Sequence, residues 1–180
     1  MTSSSSTAQL GASLADRIRA TALLGGRFRL RSGAVADTYF DKYRFEADPA
    51  LLAGIAAEMA NQLPADTQVV AGLELGGIPL VTALSLHTGL PAAFLRKEPK
   101  AHGTENYAEG TPLGGTRLVL IEDIVSSGGA LVHQIERLRA DGIEPSLALC
   151  VIDRETGARE NLARQNVALK SLFTMSELLG

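Results

Sequence analysis

The spacing of apolar residues changes character near residue 67. Beyond that point short continuous apolar runs alternate with segments of helical period. The runs "TQVVAGLEL" (67–75), "PAAFLRK" (91–97), "RLVLIED" (117–123) and "PSLALCVID" (145–153) predict strands buried on both faces, the mark of a parallel sheet. Between them, "GIPLVTALSLHTG" (77–89) and "GALVHQIERLRADG" (129–142) predict helices, so the chain reads as β-α-β units with helices covering the sheet. Upstream, "AQLGASLADRIRATALL" (8–24) sets Leu10, Leu14, Ile18 and Leu23 near one helical face. "GRFRLRSG" (26–33) and "DTYFDKYRF" (37–45) alternate and predict two strands around a turn at Ser32-Gly33. "DPALLAGIAAEMANQL" (48–63) predicts a helix with Asp48 as N-cap and Pro49 at its first position. No internal repeat or long linker divides the chain, so one domain over 1–180 is expected, with the Ser-rich residues 1–8 as a disordered tail. One stretch breaks the rhythm. Residues 98–115, "EPKAHGTENYAEGTPLGG", have no apolar period and predict a long loop, which in a compact domain is usually a lid, a binding loop or a disordered segment. It opens on "RKEPKAHG", rich in groups that can donate to a phosphate.

Composition narrows the function classes. A chain of 180 residues with 46% hydrophobic content can bury a sizeable core. A net charge of −3, with both signs spread along the chain, is a poor footprint for nucleic acid. No apolar run approaches the roughly 18 residues of a membrane span, and "MTSSSSTAQL" lacks the apolar core of a secretion signal. A soluble cytoplasmic protein is the default expectation. Cys150 is the only cysteine, which excludes an intrachain disulfide and a cysteine zinc cage, and its apolar setting after "SLAL" predicts a buried thiol.

The candidate chemistry sits in "LVLIEDIVSSGGALV" (118–132). In a parallel sheet ligands collect beyond the carboxyl ends of the strands, so "RLVLIED" delivers Glu122 and Asp123 to the ligand edge. The turn "IVSSGG" then enters a helix near Gly129, whose free N–H groups and dipole favour an anion. Ser126 and Ser127 add hydroxyl donors. Carboxylates that accept from hydroxyls, beside a loop that holds phosphate, fit a sugar phosphate. The plainer reading is a strand-end Asp that caps a helix after a Ser/Gly turn. Gly110 to Gly115 has the glycine spacing of a P-loop, but Thr116 stands where its lysine belongs, and no G-x-G-x-x-G occurs.

"VLIEDIVSSGGA" resembles the signature of type I phosphoribosyltransferases, which bind 5-phosphoribosyl 1-diphosphate (PRPP). The resemblance implies that Glu122 and Asp123 hold the ribose and that Val125, Ser126, Ser127, Gly128, Gly129 and Ala130 form the phosphate loop. It implies the type I fold: a central, mainly parallel sheet flanked by helices, with a small N-terminal hood over 25–45. Three further stretches are similar to the orotate branch of that family. "FLRKEPKAHGT" (94–104) resembles its mobile catalytic loop (97–115 here), with Arg96, Lys97, Lys100, His102 and Gly103 in the pattern R-K-x-x-K-x-H-G. Taken alone, such a run is a solvated charged loop. "GLELGGIPL" (72–80) resembles the diphosphate-binding loop, with backbone donors at Leu75, Gly76 and Gly77; some members carry lysine at the position of Gly76. "FRLRSGAVADTYFDKYRF" (28–45) resembles the hood, where Phe28, Leu30, Ser32, Gly33, Tyr39 and Asp41 fit and Ala36-Asp37 departs from the usual pair. Arg31, Tyr39 and Phe40 are thereby candidate orotate contacts; Tyr39 and Phe40 can also be read as core aromatics, a reading equal in weight for Phe40. "VIDRETGARENL" resembles the D-R-x-x-G segment, which makes Arg154, together with Ser126, a further contact to the base.

The implied reaction converts orotate and PRPP to orotidine 5′-monophosphate and diphosphate, a step of pyrimidine synthesis. Lys100, His102, Arg96 and Lys97 would stabilise charge on the leaving diphosphate. Mg²⁺ would sit mainly on substrate oxygens and water, with Asp123 contributing through water. The family also implies a homodimer whose catalytic loop reaches the neighbouring subunit. Two other classes stay open: a phosphoribosyltransferase for another base, and a PRPP-binding regulator without catalysis.

Overall fold

The structure is a computed structural model and describes residues 12–29, 33, 35–98 and 106–180. The expected tail, together with Leu30, Arg31, Ser32, Lys100, His102 and Gly103, lies outside the described residues.

Fifteen elements are described. The N-terminal part comprises α1 (Leu14–Ala22), β1 (Leu23–Arg29), β2 (Val35–Phe40), α2 (Lys42–Glu46) and α3 (Pro49–Ala60). The remainder alternates: β3 (Val69–Leu73), α4 (Gly77–Thr88), β4 (Ala92–Leu95), β5 (Ala108–Gly110), β6 (Leu118–Val125), α5 (Gly129–Ala140), β7 (Leu147–Asp153), α6 (Ala158–Arg164), β8 (Ala168–Thr174) and α7 (Met175–Leu179). Strands β1 and β2 form an antiparallel hairpin, and the other six form one sheet in the order β5-β4-β3-β6-β7-β8. Every pair in that sheet is parallel except β4 with β5. The mainly parallel sheet expected from the apolar runs is therefore observed.

Successive strand residues point to opposite faces, and the core divides accordingly. Val69, Ala71, Leu73, Leu118, Leu120, Ala148 and Cys150 face one layer, closed by Leu131, Ile135 and Leu138 of α5 and Leu162 of α6. Val70, Val119, Ile121, Leu147, Leu149 and Val151 face the other, closed by Ile18 of α1, Ile55 and Met59 of α3, and Leu80 and Leu84 of α4. Fully buried side chains such as Leu120, Ile121 and Leu84 each contribute roughly 1.5–3 kcal/mol over the exposed state. Cys150 is buried within this core, and burial pushes its thiol pKa up, which fits an inert structural role.

Three expectations need correction. "DTYFDKYRF" is not one strand: β2 ends at Phe40, and Lys42–Glu46 turn into a short helix because Phe45 and Glu46 are drawn into the core side. The first helix begins at Leu14, where Ser13 and Asp16 form a capping box, and ends at Ala22, so that Leu23 opens β1. The stretch 98–115 is not wholly loop, because Ala108–Gly110 pair with β4 through Leu95↔Ala108 and Ala93↔Gly110.

Candidate active site

The strand order reverses between β3 and β6. From β3 the chain crosses through α4 to β4 on one side, while β6, β7 and β8 continue on the other. A crevice at the carboxyl ends of β3 and β6 is where an open α/β sheet binds its ligand. Two loops meet there: residues 74–76 between β3 and α4, and residues 126–128 between β6 and α5.

The second loop encloses a cavity of about 240 Å³ lined by Glu122, Ile124 and the run Val125–Leu131. Ser126, Ser127, Gly129 and Ala130 are exposed to it or beside it. Gly128 caps α5 in the left-handed region, at φ 78°. A side chain there would be strained, and its Cβ would also lie 2.7 Å from Leu162. The loop is braced from below: Asn161 Nδ2 donates to the Ser127 carbonyl at 2.8 Å, and the Arg154 amide donates to the Val125 carbonyl at 2.8 Å. Free N–H groups at the start of a twelve-residue helix, glycine at the approach and hydroxyls alongside make this an anion cradle.

The two carboxylates that the sequence placed together part company. Glu122 lines the phosphate cavity, and its Oε1 accepts the Asp123 amide at 3.0 Å. Burial, reinforced by the neighbouring charge of Asp123, raises its pKa well above the ordinary value. Asp123 points to the other face, is 1% exposed, and pairs with Lys42 Nζ at 2.5 Å. Lys42 and Glu46 are four residues apart and so share one side of α2. Burial alone would lower the basicity of Lys42, but the hydrogen bond to Asp123 and the charges of Asp123 and Glu122 together outweigh it and hold it raised. Glu46 is buried beside Asp123, and burial, then the Asp123 charge, pushes its pKa up to about 8. Gly76 packs against the same pair: a Cβ on it would fall 1.4 Å from Asp123 Oδ2 and 2.9 Å from Glu46 Oε1. With Asp123 and Glu46 so placed there is no room for a side chain at Gly76, and Lys42 supplies the positive charge at Asp123 Oδ2. Lys42 and Glu46 were not singled out in the sequence; the "DKYRFE" charge pattern at helical spacing was the available signal.

The remaining candidates are placed as follows. Leu75 is exposed, whereas Gly76, the N-cap of α4, and Gly77, its first residue, are buried. Arg96 and Lys97 leave β4 at the crevice, and the Lys97 amide donates to Glu74 Oε1 at 2.5 Å. A second cavity, of about 400 Å³, lies beside this point, lined by Leu73, Glu74, Leu95, Lys97, Ala130 and Gln134 among others. Arg154 is exposed on a turn locked on both sides. Asp153 accepts from Arg159 Nε at 2.7 Å and from the Glu155 amide at 2.9 Å, and Glu155 in turn accepts from the Ser176 amide at 3.0 Å. Tyr39 is exposed with its ring 5.5 Å from Phe28. For Phe40 the structure favours the second of its two readings. It points inward, packs on Phe45 with ring centres 6.4 Å apart, and belongs to the core because strand alternation sends it opposite to Tyr39.

With this geometry in place, comparison with known proteins is decisive. The phosphoribosyl transferase domain family matches residues 44–168. An orotate phosphoribosyltransferase of Nocardioides sp. is 45% identical over 169 residues, which is 94% of this chain and 94% of that protein. The chain belongs to the orotate phosphoribosyltransferase family. Its fold is shared with a crystal structure of the Mycobacterium tuberculosis orotate phosphoribosyltransferase in complex with Fe(III) dicitrate, at a TM-score of 0.84 and 31% identity over 92% of this chain and 96% of that one. Another crystal structure of that enzyme, in complex with PRPP, matches at a TM-score of 0.79 and 26% identity over 93% and 97% of the two chains. Among the described residues no helix is long and apolar enough to cross a membrane.

Proposed function

We propose that this chain transfers the phosphoribosyl group of PRPP to orotate, giving orotidine 5′-monophosphate and diphosphate in pyrimidine synthesis. The observation that carries the reading is the 240 Å³ cavity at the start of α5, which sets phosphate donors next to a half-buried carboxylate, Glu122. The 5-phosphate rests on the amides and hydroxyls of Ser126–Ala130, and Glu122 accepts from a ribose hydroxyl. Asp123 joins it by exchanging its Lys42 partner for hydroxyls or for a water on the cation. The diphosphate lies across the mouth between Leu75–Gly77 and the root of the loop at Arg96 and Lys97, and Arg154 with Ser126 receives the base. Lys100, His102 and Arg31 complete the site on the strength of the resemblance alone.

In the reaction a ring nitrogen of orotate gives up its N–H proton to water or the departing diphosphate and forms a bond to the anomeric carbon, as the bond from that carbon to the diphosphate oxygen breaks and its electron pair leaves with diphosphate. Negative charge grows on the leaving group, so preorganised cations and N–H donors accelerate the step. A donor of this kind is worth on the order of 3 kcal/mol, about a hundredfold in rate. Among the described residues no cluster of three acidic, His or Cys side chains could hold a metal ion. Glu122, the one carboxylate that lines the phosphate cavity among the described residues, instead suits Mg²⁺ carried in on substrate oxygens and water. When bound, that ion neutralises charge on the diphosphate. The working form is a cytoplasmic homodimer that shares its catalytic loops.

The test is the ultraviolet band of orotate, which is lost on conversion to the nucleotide. Loss that requires both PRPP and Mg²⁺ supports the base, the donor and the metal. Turnover of uracil or a purine in place of orotate would move the base, and PRPP binding without turnover of any base would make the chain a regulator.

A further inference from the structure

The cations Arg96 and Lys97 sit at the end of β4, where their amides donate to the Tyr107 carbonyl and to Glu74 Oε1. Their carbonyls are held from α5. Gln134 Nε2 donates to the Arg96 carbonyl at 2.8 Å, and Arg137 Nη1 donates to the Lys97 carbonyl at 2.8 Å. Gln134 is 3% exposed, so its bond is made inside the protein. The same Arg137 guanidinium lies over the ring of Tyr107, 5.3 Å from its centre. Tyr107 is on the returning arm: its carbonyl accepts from the Arg96 amide at 2.7 Å, and its hydroxyl donates to Asp141 Oδ2, at the far end of α5, at 2.8 Å. Burial, then the hydrogen bond to Asp141 and its charge, raises the Tyr107 pKa, so the hydroxyl stays a donor. Gln134, Arg137 and Asp141 follow each other at helical spacing along one side of α5. One arginine thus holds both arms, and the first turn of its helix is the phosphate cradle.

We propose that Arg137 is a positioning residue for the transfer: by fixing the Lys97 carbonyl and the Tyr107 ring together, it sets Arg96 and Lys97 at a defined distance from the phosphate cradle at the start of α5. The inference rests on the functional reading above. A planar fork on a rigid helix suits this task, because a bond and a ring contact are made by one group with little freedom left to it. Misplacing reacting groups by about 1 Å can lower a rate about a hundredfold, so a residue that never touches substrate can govern turnover.

The experiment measures steady-state kinetics with orotate and PRPP for the wild type, Arg137→Met and Arg137→Lys, each also in a Lys97→Ala background. Arg137→Met keeps an apolar stem against Tyr107 and removes the donor, so it is the variant least exposed to misfolding. The expected result is a fall in kcat on the order of tenfold to a hundredfold with a smaller change in KM for PRPP, and partial recovery in Arg137→Lys. In the Lys97→Ala background the same change should matter less, because residues that act as a unit are not additive. Hydrogen exchange at residues 96–98 and 106–108 should quicken in Arg137→Met whether or not turnover is measured. Unchanged kcat and exchange, or equal fold losses in both backgrounds, would overturn the proposal. A wild type that turns over no orotate would instead overturn the functional reading, and the positioning role with it.

Discussion

The two sides of the site are built in different ways. The cradle at the start of α5 is made almost entirely from one continuous stretch, Glu122–Leu131, and presents backbone donors that any sequence with the right turn would present. The side opposite is made from points scattered over the chain: Lys42 and Glu46 on α2, Gly76 before α4, and Asp123 on β6, all converging on one carboxylate. The first kind of site is robust to side-chain exchange and sensitive to backbone freedom. The second is sensitive to every partner, because a charge that loses its counter-ion in a desolvated place is expensive to keep.

Gly128→Val is the largest way to break that contrast. A β-branched residue at φ 78° with its Cβ 2.7 Å from Leu162 forces the cradle open. The backbone term alone is about 1–2 kcal/mol, and PRPP affinity measured by calorimetry should fall by about a hundredfold or more. Unaltered affinity would mean that the cradle does not hold the phosphate. Gly76→Ala comes next. The new methyl must displace the Asp123 carboxylate, so turnover should drop by about tenfold while the phosphate cradle still binds inorganic phosphate as before. A loss of phosphate binding of the same size would show that the two sides are one unit.

Lys42→Met removes the cation and leaves Asp123 and Glu46 facing one another. Lys42 is about one-third exposed, so the loss in stability should be about 1–3 kcal/mol, read by denaturant unfolding. A variant as stable as the wild type would remove the ion pair from the account. Glu46→Gln is the mildest change. In the folded chain Glu46 keeps its proton up to about pH 8, whereas an ordinary glutamate loses it near 4.5. Its stabilising contribution is present in full below the lower value and is lost as pH rises through about 8. The wild type should therefore lose stability across that interval, and Glu46→Gln should flatten the loss. Parallel profiles for the two proteins would assign the titration elsewhere.

The same contrast explains what could be read from the chain. Strands β3, β6 and β7 and helices α4 and α5 are legible because parallel strands covered on both faces are continuous apolar runs, and the cradle is legible because it is local. Helix α2 is not, because "DTYFDKYRF" keeps alternating past the end of β2, and Asp41 makes no side-chain cap bond to announce the change. Strand β5, only "AEG", pairs because the edge of β4 is open to it, which no local pattern records. Strand β8, "ALKSLFT", carries a lysine and small polar groups and lacks the dense apolar run of its neighbours. Within the site, the sequence joins Glu122 and Asp123 by adjacency, whereas the pleat sends them to opposite faces. It cannot show that Asp123 answers to Lys42, eighty-one positions earlier, or that Arg137 holds both Lys97 and Tyr107.

The measurement that tests the central claim most directly is a crystal structure of the protein with PRPP bound. The account predicts the 5-phosphate against the amides of Ser126–Gly129, a ribose hydroxyl on Glu122, and Lys42 drawn away from Asp123. A phosphate found elsewhere, with the cavity at the start of α5 holding only water and the Lys42–Asp123 pair untouched, would contradict it.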